Sequence, residues 1–292
     1  MTVTVLELIE ASAAQLEAAG LTFENGFGQG TTNAFDEAAW LVMWQLGLPL
    51  DDLDSVSNRP VFPAERAQVA TLLGARIASR KPAAYLTHEA WLMGVPFYVD
   101  ERVIIPRSFI AELLVDESID PWLNADTTRV LDLCTGNGSL AVLAAMTHPD
   151  VAVDAADISP DALAVARINV DKHALGSRIT LIESDGLAAC SGNYDLILCN
   201  PPYVNAASMA ALPAEFKAEP ALALAGGTDG MDFIRSLFLT ATAHMSENAV
   251  LVLEIGNERD NFERAFPHLE PLWFETSAGS DQVMLITREQ LV

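Results

Sequence analysis

The stretch Val130-Leu-Asp-Leu-Cys-Thr-Gly-Asn-Gly-Ser-Leu140 decides the fold of most of this chain. Its first five residues predict a buried strand, and Gly136 and Gly138 then form a turn that opens a helix. A strand that passes through a glycine turn into a helix is typical of a doubly wound α/β sheet, which binds ligands at the carboxyl ends of its strands. Taken alone, the two glycines fit a tight turn without a ligand equally well.

The same alternation of apolar strands and helices continues to the end of the chain. Strands are predicted at 130–134, 151–156, 179–183, 196–199 and 250–255, and near 270–275 and 283–287. Runs that are apolar throughout and are separated by helices indicate strands buried on both faces of a parallel sheet. We therefore expect an α/β fold with a seven-stranded, mostly parallel sheet, in which the last two strands pair antiparallel because their connection is short.

The first part of the chain has a different pattern. From residue 4 to about 80, apolar residues recur at intervals of three and four, which predicts helices separated by polar, glycine-rich segments. Residues 90 to 105 then predict a β-hairpin that turns around Asp100-Glu101. The expected domains are a helical domain at 1–87, a hairpin linker at 88–107 and an α/β domain at 108–292.

Composition excludes several classes of protein. The 292 residues are 51% hydrophobic without any long apolar run, and the first residues lack the basic start and cleavage site of a signal peptide. We therefore expect a cytoplasmic protein without membrane contact. Cys134, Cys190 and Cys199 have no metal-type spacing, so we expect reduced thiols and no metal site.

The charge is strongly acidic, with 40 Asp and Glu against 16 Lys and Arg and a net charge of −24. Binding along a nucleic-acid backbone needs clustered basic residues, and this chain has no basic block. The charge favours a basic protein partner, although solubility or a salt-adapted proteome would explain it as well.

Two acidic residues follow the next two predicted strands. Asp157 ends the second strand, where a carboxylate can accept from both hydroxyls of a ribose, and Asp185 follows the third, where it can meet an adenine amino group. The glycine turn does not exclude a dinucleotide, since Ala141 occupies a third position that the dinucleotide fingerprint tolerates. The turn and the two acids together indicate a nucleoside-containing cofactor.

The fourth strand, Tyr194-Asp-Leu-Ile-Leu-Cys199, runs into Asn200-Pro-Pro-Tyr203. Neither proline has an N–H, so the chain must leave the sheet there. The Asn200 side-chain carbonyl and the Pro201 carbonyl are then two fixed acceptors beside the Tyr203 ring, an arrangement that suits a planar NH₂ group. The alternative is a loop that only caps the strand. Hydride transfer gives no reason for this tetrapeptide, whereas methyl transfer to an amino nitrogen does.

Across nearly its whole length the chain resembles the HemK-type protein-(glutamine-N5) methyltransferases, which are class I, Rossmann-like enzymes. Within that family it is most similar to the branch that acts on the third protein of the large ribosomal subunit. The motifs behind this resemblance are Ala83-Ala-Tyr-Leu-Thr, Phe97 to Ser108, Asp132-Leu-Cys-Thr-Gly, Asn200-Pro-Pro-Tyr-Val, Leu212-Pro-Ala-Glu-Phe, Glu219-Pro and Gly227-Thr-Asp-Gly. The sister branch, which acts on peptide release factors, has glycine where this chain has Cys134 and Pro-Asp-Thr-Glu where it has Ser108-Phe-Ile-Ala.

The resemblance implies S-adenosylmethionine as cofactor, S-adenosylhomocysteine as product and a basic ribosomal protein as partner. The implied cofactor residues are Asp132 and Thr135, Gly136 and Gly138 beside the methionine part, Asp157 on the ribose, Asp185 near the adenine, and Asn200. The implied catalytic residues are Asn200, Pro201 and Tyr203, which with Pro202 surround the target amide. Arg107 and Glu219 are added as substrate-binding residues, although an ion pair between domains for Arg107 and a loop anchor for Glu219 are equally consistent.

Three other functions remain open at this point. Adenine methyltransferases of DNA or RNA use the same tetrapeptide, but they must also hold a phosphate backbone. A release factor is an alternative substrate for the same chemistry. A non-catalytic ribosome-assembly factor would have no need of an intact Asn200.

Overall fold

The computed structural model describes residues 3–213 and 215–292. The chain divides into two compact units, Met1–Ala90 with Leu212–Ala218, and Trp91–Ala211 with Glu219–Val292. The first unit thus includes a short segment that follows Asn200-Pro-Pro-Tyr203 by several residues. No local pattern in the sequence assigns this segment to the first unit, because only contacts between distant residues can do so.

The first unit is mainly helical, as expected. Its elements are β1 (Val3–Thr4), α1 (Val5–Ala18), α2 (Ala34–Gln45), α3 (Leu53–Val56), β2 (Pro60–Val61), α4 (Pro63–Ser79) and α5 (Ala83–Thr87). Polar caps begin α1 and α2, since Thr4 and Glu7 form a capping box on α1 and Asn33 accepts from the Asp36 N–H on α2. The antiparallel pair β1 and β2 was not predicted, because strands of two residues are too short to show an alternating pattern.

A buried ion cluster lies within the first unit. The Arg76 guanidinium is fully buried and donates to Glu37 Oε1 at 2.8 Å, to Glu215 Oε1 at 3.3 Å and to the Gly26 carbonyl at 2.5 Å. Arg80 pairs with the same Glu215 oxygen at 2.7 Å. Removing one member of such a cluster would leave a buried charge uncompensated, so it fixes the 212–218 segment on the helices.

The second unit begins with a hairpin that is shorter than the expected one. Its strands are β3 (Ala90–Leu92) and β4 (Val95–Phe97), and the chain turns at Met93 and Gly94. The prediction of a turn at Asp100-Glu101 was therefore wrong. The Asp100 carboxylate instead binds both the backbone N–H and the guanidinium of Arg102, which closes a separate local turn.

A seven-stranded sheet forms the centre of the second unit. The remaining elements are α6 (Ile110–Val115), β5 (Arg129–Leu133), α7 (Ser139–Thr147), β6 (Ala152–Asp157), α8 (Pro160–Lys172), β7 (Ile179–Glu183), β8 (Tyr194–Cys199), α9 (Ala206–Ala211), α10 (Asp232–Thr240), β9 (Met245–Glu254), α11 (Arg259–Ala265), β10 (Leu272–Trp273) and β11 (Val283–Thr287). The strand order is β10-β11-β9-β8-β5-β6-β7. The strands from β9 to β7 are parallel, while β11 is antiparallel to β9 and β10. The predicted sheet is confirmed.

Both faces of this sheet are covered by apolar side chains. Leu131 and Ile197 belong to the buried cluster on one face, and Val130 and Leu198 belong to the cluster on the other. The chain proceeds from β5 towards β6 on one side and from β8 towards β9 on the other, so the winding direction changes between β5 and β8. In such sheets the crevice at this switch point is the usual place for a ligand.

Within the part of the chain that the structure describes, every helix is too short or too polar to cross a membrane. The thiols of Cys134, Cys190 and Cys199 are free, as expected.

Candidate functional site

A cavity of about 270 Å³ opens in the second unit at the carboxyl ends of β5, β6, β7 and β8. Residues that follow these four strands form most of its wall, and segments around residues 102–108 and 220–223 complete it. Seven residues predicted from the sequence line it: Arg107, Thr135, Gly136, Asp157, Asp185, Asn200 and Pro202. The cavity thus lies at the switch point of the sheet, where the strand order predicts a ligand.

The glycine turn after β5 takes an unusual backbone course. Cys134 has φ of +63°, Gly136 has +55° and Gly138 has +81°, all in the left-handed region. A Cβ on Gly136 would meet nothing within 4 Å, whereas one on Gly138 would lie 3.1 Å from the Ala166 Cβ on α8. Gly138 is therefore required where α7 packs against α8. Cys134 holds a conformation that glycine adopts without strain, which explains the glycine of the sister branch at this position.

Asp157 is fixed at the end of β6 by two backbone bonds. Its Oδ2 accepts from the Gly136 N–H and its Oδ1 from the Ser159 N–H, both at 2.9 Å. Burial raises the pKa of Asp157, and these hydrogen bonds oppose that shift. Each carboxylate oxygen has two acceptor positions, so both retain one for a ligand hydroxyl. Asp185 follows β7 and is exposed at the cavity wall.

Two polar groups lie deeper beside the same turn. Asp132 is buried within β5, where its Oδ2 accepts from the Thr135 hydroxyl and from the Ala141 N–H. Burial raises the pKa of Asp132 to about 7. Its Oδ1 and the Nδ2 of buried Asn137 have no hydrogen-bond partner among the described residues. Buried polar atoms are normally paired, and unpaired ones beside a cavity indicate a polar ligand or water there.

Asn200 and the two prolines take the chain out of the sheet, as predicted. β8 ends at Cys199, and the backbone pairs again only at Val204, whose N–H donates to the Leu224 carbonyl at 2.8 Å. Asn200 lines the cavity, while Pro201 is buried behind it. Among residues 3–213 and 215–292, no group donates a hydrogen bond to the Asn200 side-chain carbonyl or to the Pro201 carbonyl. Both oxygens therefore keep a free acceptor position within the described structure, and of the two residues only Asn200 lines the cavity.

Three glycines form a socket around Tyr203. A Cβ on Gly226 would lie 2.7 Å from the Tyr203 Cα, and one on Gly230 would clash with the Tyr203 carbonyl oxygen. A Cβ on Gly256 would lie 2.5 Å from Cε2 of the ring. Real Cβ atoms do not approach this closely, so each position excludes any larger residue. In the Gly227-Thr-Asp-Gly230 motif, Gly230 is therefore required by its contact with Tyr203, whereas a Cβ on Gly227 would collide with the Asp232 carboxylate.

Glu254 lies behind the same ring. It ends β9, is 2% exposed, and accepts from the Ser108 hydroxyl at 2.6 Å and from the Phe109 N–H at 2.9 Å. The Tyr203 hydroxyl faces its other oxygen at 3.5 Å. Burial raises the pKa of Glu254 to about 7, against the opposing effect of the Ser108 and Phe109 bonds. Burial also raises the pKa of Tyr203, and the charge of Glu254 adds to that shift.

Arg107 and Glu219 bind each other. The guanidinium donates to the two carboxylate oxygens at 2.6 and 2.8 Å, and Glu219 Oε1 also accepts from the Ile105 N–H at 3.0 Å. Glu219 is buried, while Arg107 lines the cavity. The pair thus tethers the segment after the hairpin to the segment that begins at Glu219, within one unit.

The predicted residues fall into two groups. Seven line the cavity, and the other five lie behind its wall: Asp132, Gly138, Pro201, Tyr203 and Glu219. Sequence reasoning missed Ser108, Glu254 and Gly256, as well as Leu222 and Phe233 in the cavity wall. One available signal was the acid at the end of the apolar run Val250-Leu-Val-Leu-Glu254, two residues before Gly256.

Known proteins resemble this chain in sequence. Residues 111–249 match the methyltransferase small domain family. Three relatives named ribosomal protein uL3 glutamine methyltransferase come from Bordetella pertussis, Burkholderia pseudomallei and Neisseria meningitidis serogroup A, with 51, 48 and 47% identity. In each case the match covers 99% of this chain, and it covers 96, 95 and 94% of the respective relative.

A solved structure has the same fold. The hMettl16 catalytic domain in complex with a 3′UTR hairpin superposes with a TM-score of 0.51 and 13% identity, over 79% of this chain and 84% of that one. This likeness supports the class I methyltransferase fold predicted above. The identities of 47 to 51% to the full-length relatives confirm the resemblance predicted from the motifs, and the chain belongs to the family of the ribosomal protein uL3 glutamine methyltransferases.

Proposed function

We propose that this protein transfers a methyl group from S-adenosylmethionine to the side-chain amide nitrogen of a glutamine in ribosomal protein uL3. The observation that carries the proposal is the pair of acceptors at the end of β8, the Asn200 side-chain carbonyl and the Pro201 carbonyl. Neither accepts a hydrogen bond from the described residues, and Asn200 lines the cavity at the switch point of the sheet. A primary amide has the two N–H groups that these acceptors need.

The cavity fits the proposed cofactor. Asp157 retains acceptor positions for the two ribose hydroxyls, exposed Asp185 is available for the adenine amino group, and Gly136 leaves open space where a side chain would begin. The unpaired Asn137 Nδ2 and Asp132 Oδ1 lie on the side of the glycine turn, where the amino acid part of the cofactor would be held. When bound, S-adenosylmethionine supplies a methyl group activated by its positively charged sulfur.

The chain's own contribution is mainly positioning. An amide nitrogen is planar and a poor nucleophile, and accepting both of its hydrogens at fixed angles aims the nitrogen at one point in the cavity. Such positioning is worth about 7 to 11 kcal/mol in favourable cases. A glutamine amide is too weak an acid to lose its proton first, so Asn200 acts as an acceptor and no general base precedes methyl transfer. The proton leaves afterwards from the far more acidic methylated product.

The acidic surface supports a basic protein as partner. The net charge of −24 attracts such a protein over long range and repels the phosphate backbone of nucleic acids. We propose that the helical unit recognises uL3, and that no direct contact with nucleic acid is needed. A ribosomal protein is made and assembled in the cytoplasm, which is where the proposed reaction belongs.

A labelling experiment tests the proposal. The protein is incubated with methyl-labelled S-adenosylmethionine and, separately, unmodified uL3, an unmodified peptide release factor and unmodified DNA, and the label is located by mass spectrometry. We expect label on one glutamine of uL3, with none in a parallel reaction with Asn200→Ala. Label on the release factor or on adenine instead would overturn the proposed substrate. Absence of label from all three would overturn the proposed activity.

A further inference from the structure

Glu254 is a residue that the sheet itself does not require. It ends the apolar run Val250 to Leu253 and is almost fully buried at 2% exposure. Burying a carboxyl group costs free energy unless it is hydrogen-bonded, and an apolar side chain would suit the end of this strand better. The groups around its carboxylate therefore have to account for its presence.

Those groups all donate hydrogen bonds. The Ser108 hydroxyl and the Phe109 N–H both reach Oε2, at 2.6 and 2.9 Å. Oε1 faces the Tyr203 hydroxyl, at 3.5 Å. This distance is long for a hydrogen bond, but bonds in active sites are often long before substrate binds and shorten in the complex. One oxygen thus holds the segment after the hairpin, and the other is directed at Tyr203.

The same strand end also holds the edge of the ring. Gly256, two residues after Glu254, approaches Tyr203 so closely that a Cβ would lie 2.5 Å from Cε2. Gly226 and Gly230 fix the Tyr203 backbone in the same way. We propose that Glu254 is a positioning residue, which holds the Tyr203 ring beside Asn200 through its hydroxyl and so supports methyl transfer without touching the substrate. The inference rests on the function proposed above.

The charges around Glu254 give the proposal a pH dependence. Arg107 and the Ser108 hydroxyl face it from the segment before α6, and Tyr203 faces it from the loop after β8. The residue opposite Glu254 on β11 is Val283, which has no charge. The charge of Glu219, the partner of Arg107, raises the pKa of Tyr203. The ionised carboxylate accepts from all of these donors, whereas a proton on Oε1 would make that oxygen a donor towards the Tyr203 oxygen and reverse the bond that holds the hydroxyl. We therefore expect turnover to rise as the pH increases through about 7, the pKa of Glu254.

A double-mutant cycle tests the role of Glu254. The full-length variants Glu254→Ala, Tyr203→Phe and the double variant are assayed with uL3 and saturating S-adenosylmethionine. Glu254→Ala should lower kcat about 10-fold with little change in KM for uL3, since coupled neighbours commonly interact by this amount. In the Tyr203→Phe background, which lacks the hydroxyl, the same substitution should have almost no further effect. If the double variant instead shows the product of the two single-variant losses in kcat, Glu254 acts independently of the Tyr203 hydroxyl and only stabilises the fold. That result would overturn the proposal.

Glu254→Gln is the matched control, because its side-chain carbonyl can still accept from Ser108 and Phe109 while its amide group can donate to the Tyr203 oxygen. It should keep, at every pH, the lower kcat that the wild type has below about pH 7, and so lose the rise in turnover through that pH. A rise of unchanged size in Glu254→Gln would exclude Glu254 as its source and would contradict the proposal. Wild-type protein that does not methylate uL3 would overturn the proposed function instead, so the two failures are distinguishable.

Discussion

The two sides of the cavity are built in different ways. The cofactor side, where we propose that S-adenosylmethionine binds, consists of Gly136, Asp157 and Asp185, which lie at or just after the ends of β5, β6 and β7. The amide side consists of residues 200–203, and it is supported by Ser108, Gly226, Gly230, Glu254 and Gly256 from other parts of the chain. Adjacent parallel strands bring the first group together through the sheet alone. The second group depends on contacts between segments that are far apart in sequence.

This difference predicts how each side responds to substitution. On the proposed cofactor side, the residues would contact the cofactor directly, so a change there should appear in cofactor affinity. On the amide side, the acceptors work only when the loop is held in place, so a change there should appear in turnover. The following substitutions separate the two sides.

The largest effect is expected for Asn200→Ala, which removes one of the two acceptors. Loss of one such preorganised group typically lowers kcat by about 10²- to 10³-fold. Single-turnover methylation of uL3 measures this loss, and calorimetry with S-adenosylhomocysteine should show much less change in affinity. Asn200→Asp keeps an acceptor oxygen and should be milder. If both variants lose activity equally, the two-acceptor arrangement is wrong.

Asp157→Ala should have the next largest effect, and it should lower the affinity for the cofactor and not kcat. Losing charge-assisted bonds to the ribose hydroxyls costs about 1.5 to 3 kcal/mol, which is roughly 10- to 150-fold in cofactor Kd. At saturating cofactor, kcat should change little. Calorimetry with S-adenosylmethionine gives the affinity, and Asp157→Asn serves as the control of similar shape. A fall in kcat without a loss of affinity would show that the two sides are not separable.

Gly136→Ala and Gly256→Ala form a matched pair across the cavity. The two glycines have φ of +55° and +53°, so both substitutions carry the same backbone cost of about 1 kcal/mol. They differ in their surroundings, because the new Cβ meets nothing within 4 Å at Gly136 and lies 2.5 Å from the Tyr203 ring at Gly256. Gly256→Ala should therefore unfold at lower temperature and lose several-fold more kcat. Equal melting temperatures without ligand would contradict the described socket.

The smallest effect concerns the pH dependence of stability. Burial raises the pKa of Asp132 to about 7, so its protonated form stabilises the fold at low pH and this contribution is lost as the pH rises through 7. Between about pH 6 and pH 8 the loss amounts to about 1.4 kcal/mol in the free energy of unfolding. Denaturant titrations at a series of pH values should show this loss in the free energy of unfolding for the wild type and not for Asp132→Asn. If the free energy of unfolding changes with pH equally in both proteins, Asp132 does not titrate in this range.

The sequence allowed most of the cofactor side to be predicted. The strands β5 to β8 were recognised from their apolar runs, and Asp157 and Asp185 were assigned because each directly follows its strand. The amide side was predicted only at residues 200–203, where two prolines make the local geometry unambiguous. The hairpin turn was misplaced, because Asp100-Glu101 has turn-forming composition and the side-chain bonds to Arg102 cannot be seen in a pattern.

By itself, the sequence determined the α/β class, the order of strands and helices, the position of the cavity at the strand ends and the family, since these follow from apolar periodicity and from motifs of a few adjacent residues. Only the tertiary structure decided that Arg107 and Glu219 bind each other, that Gly226, Gly230 and Gly256 enclose Tyr203, and that Glu254 lies against its hydroxyl. The physical reason is the range of the interactions. Backbone preference and hydrophobic alternation act over a few residues, whereas close packing and buried hydrogen bonds join residues that only the completed fold brings together.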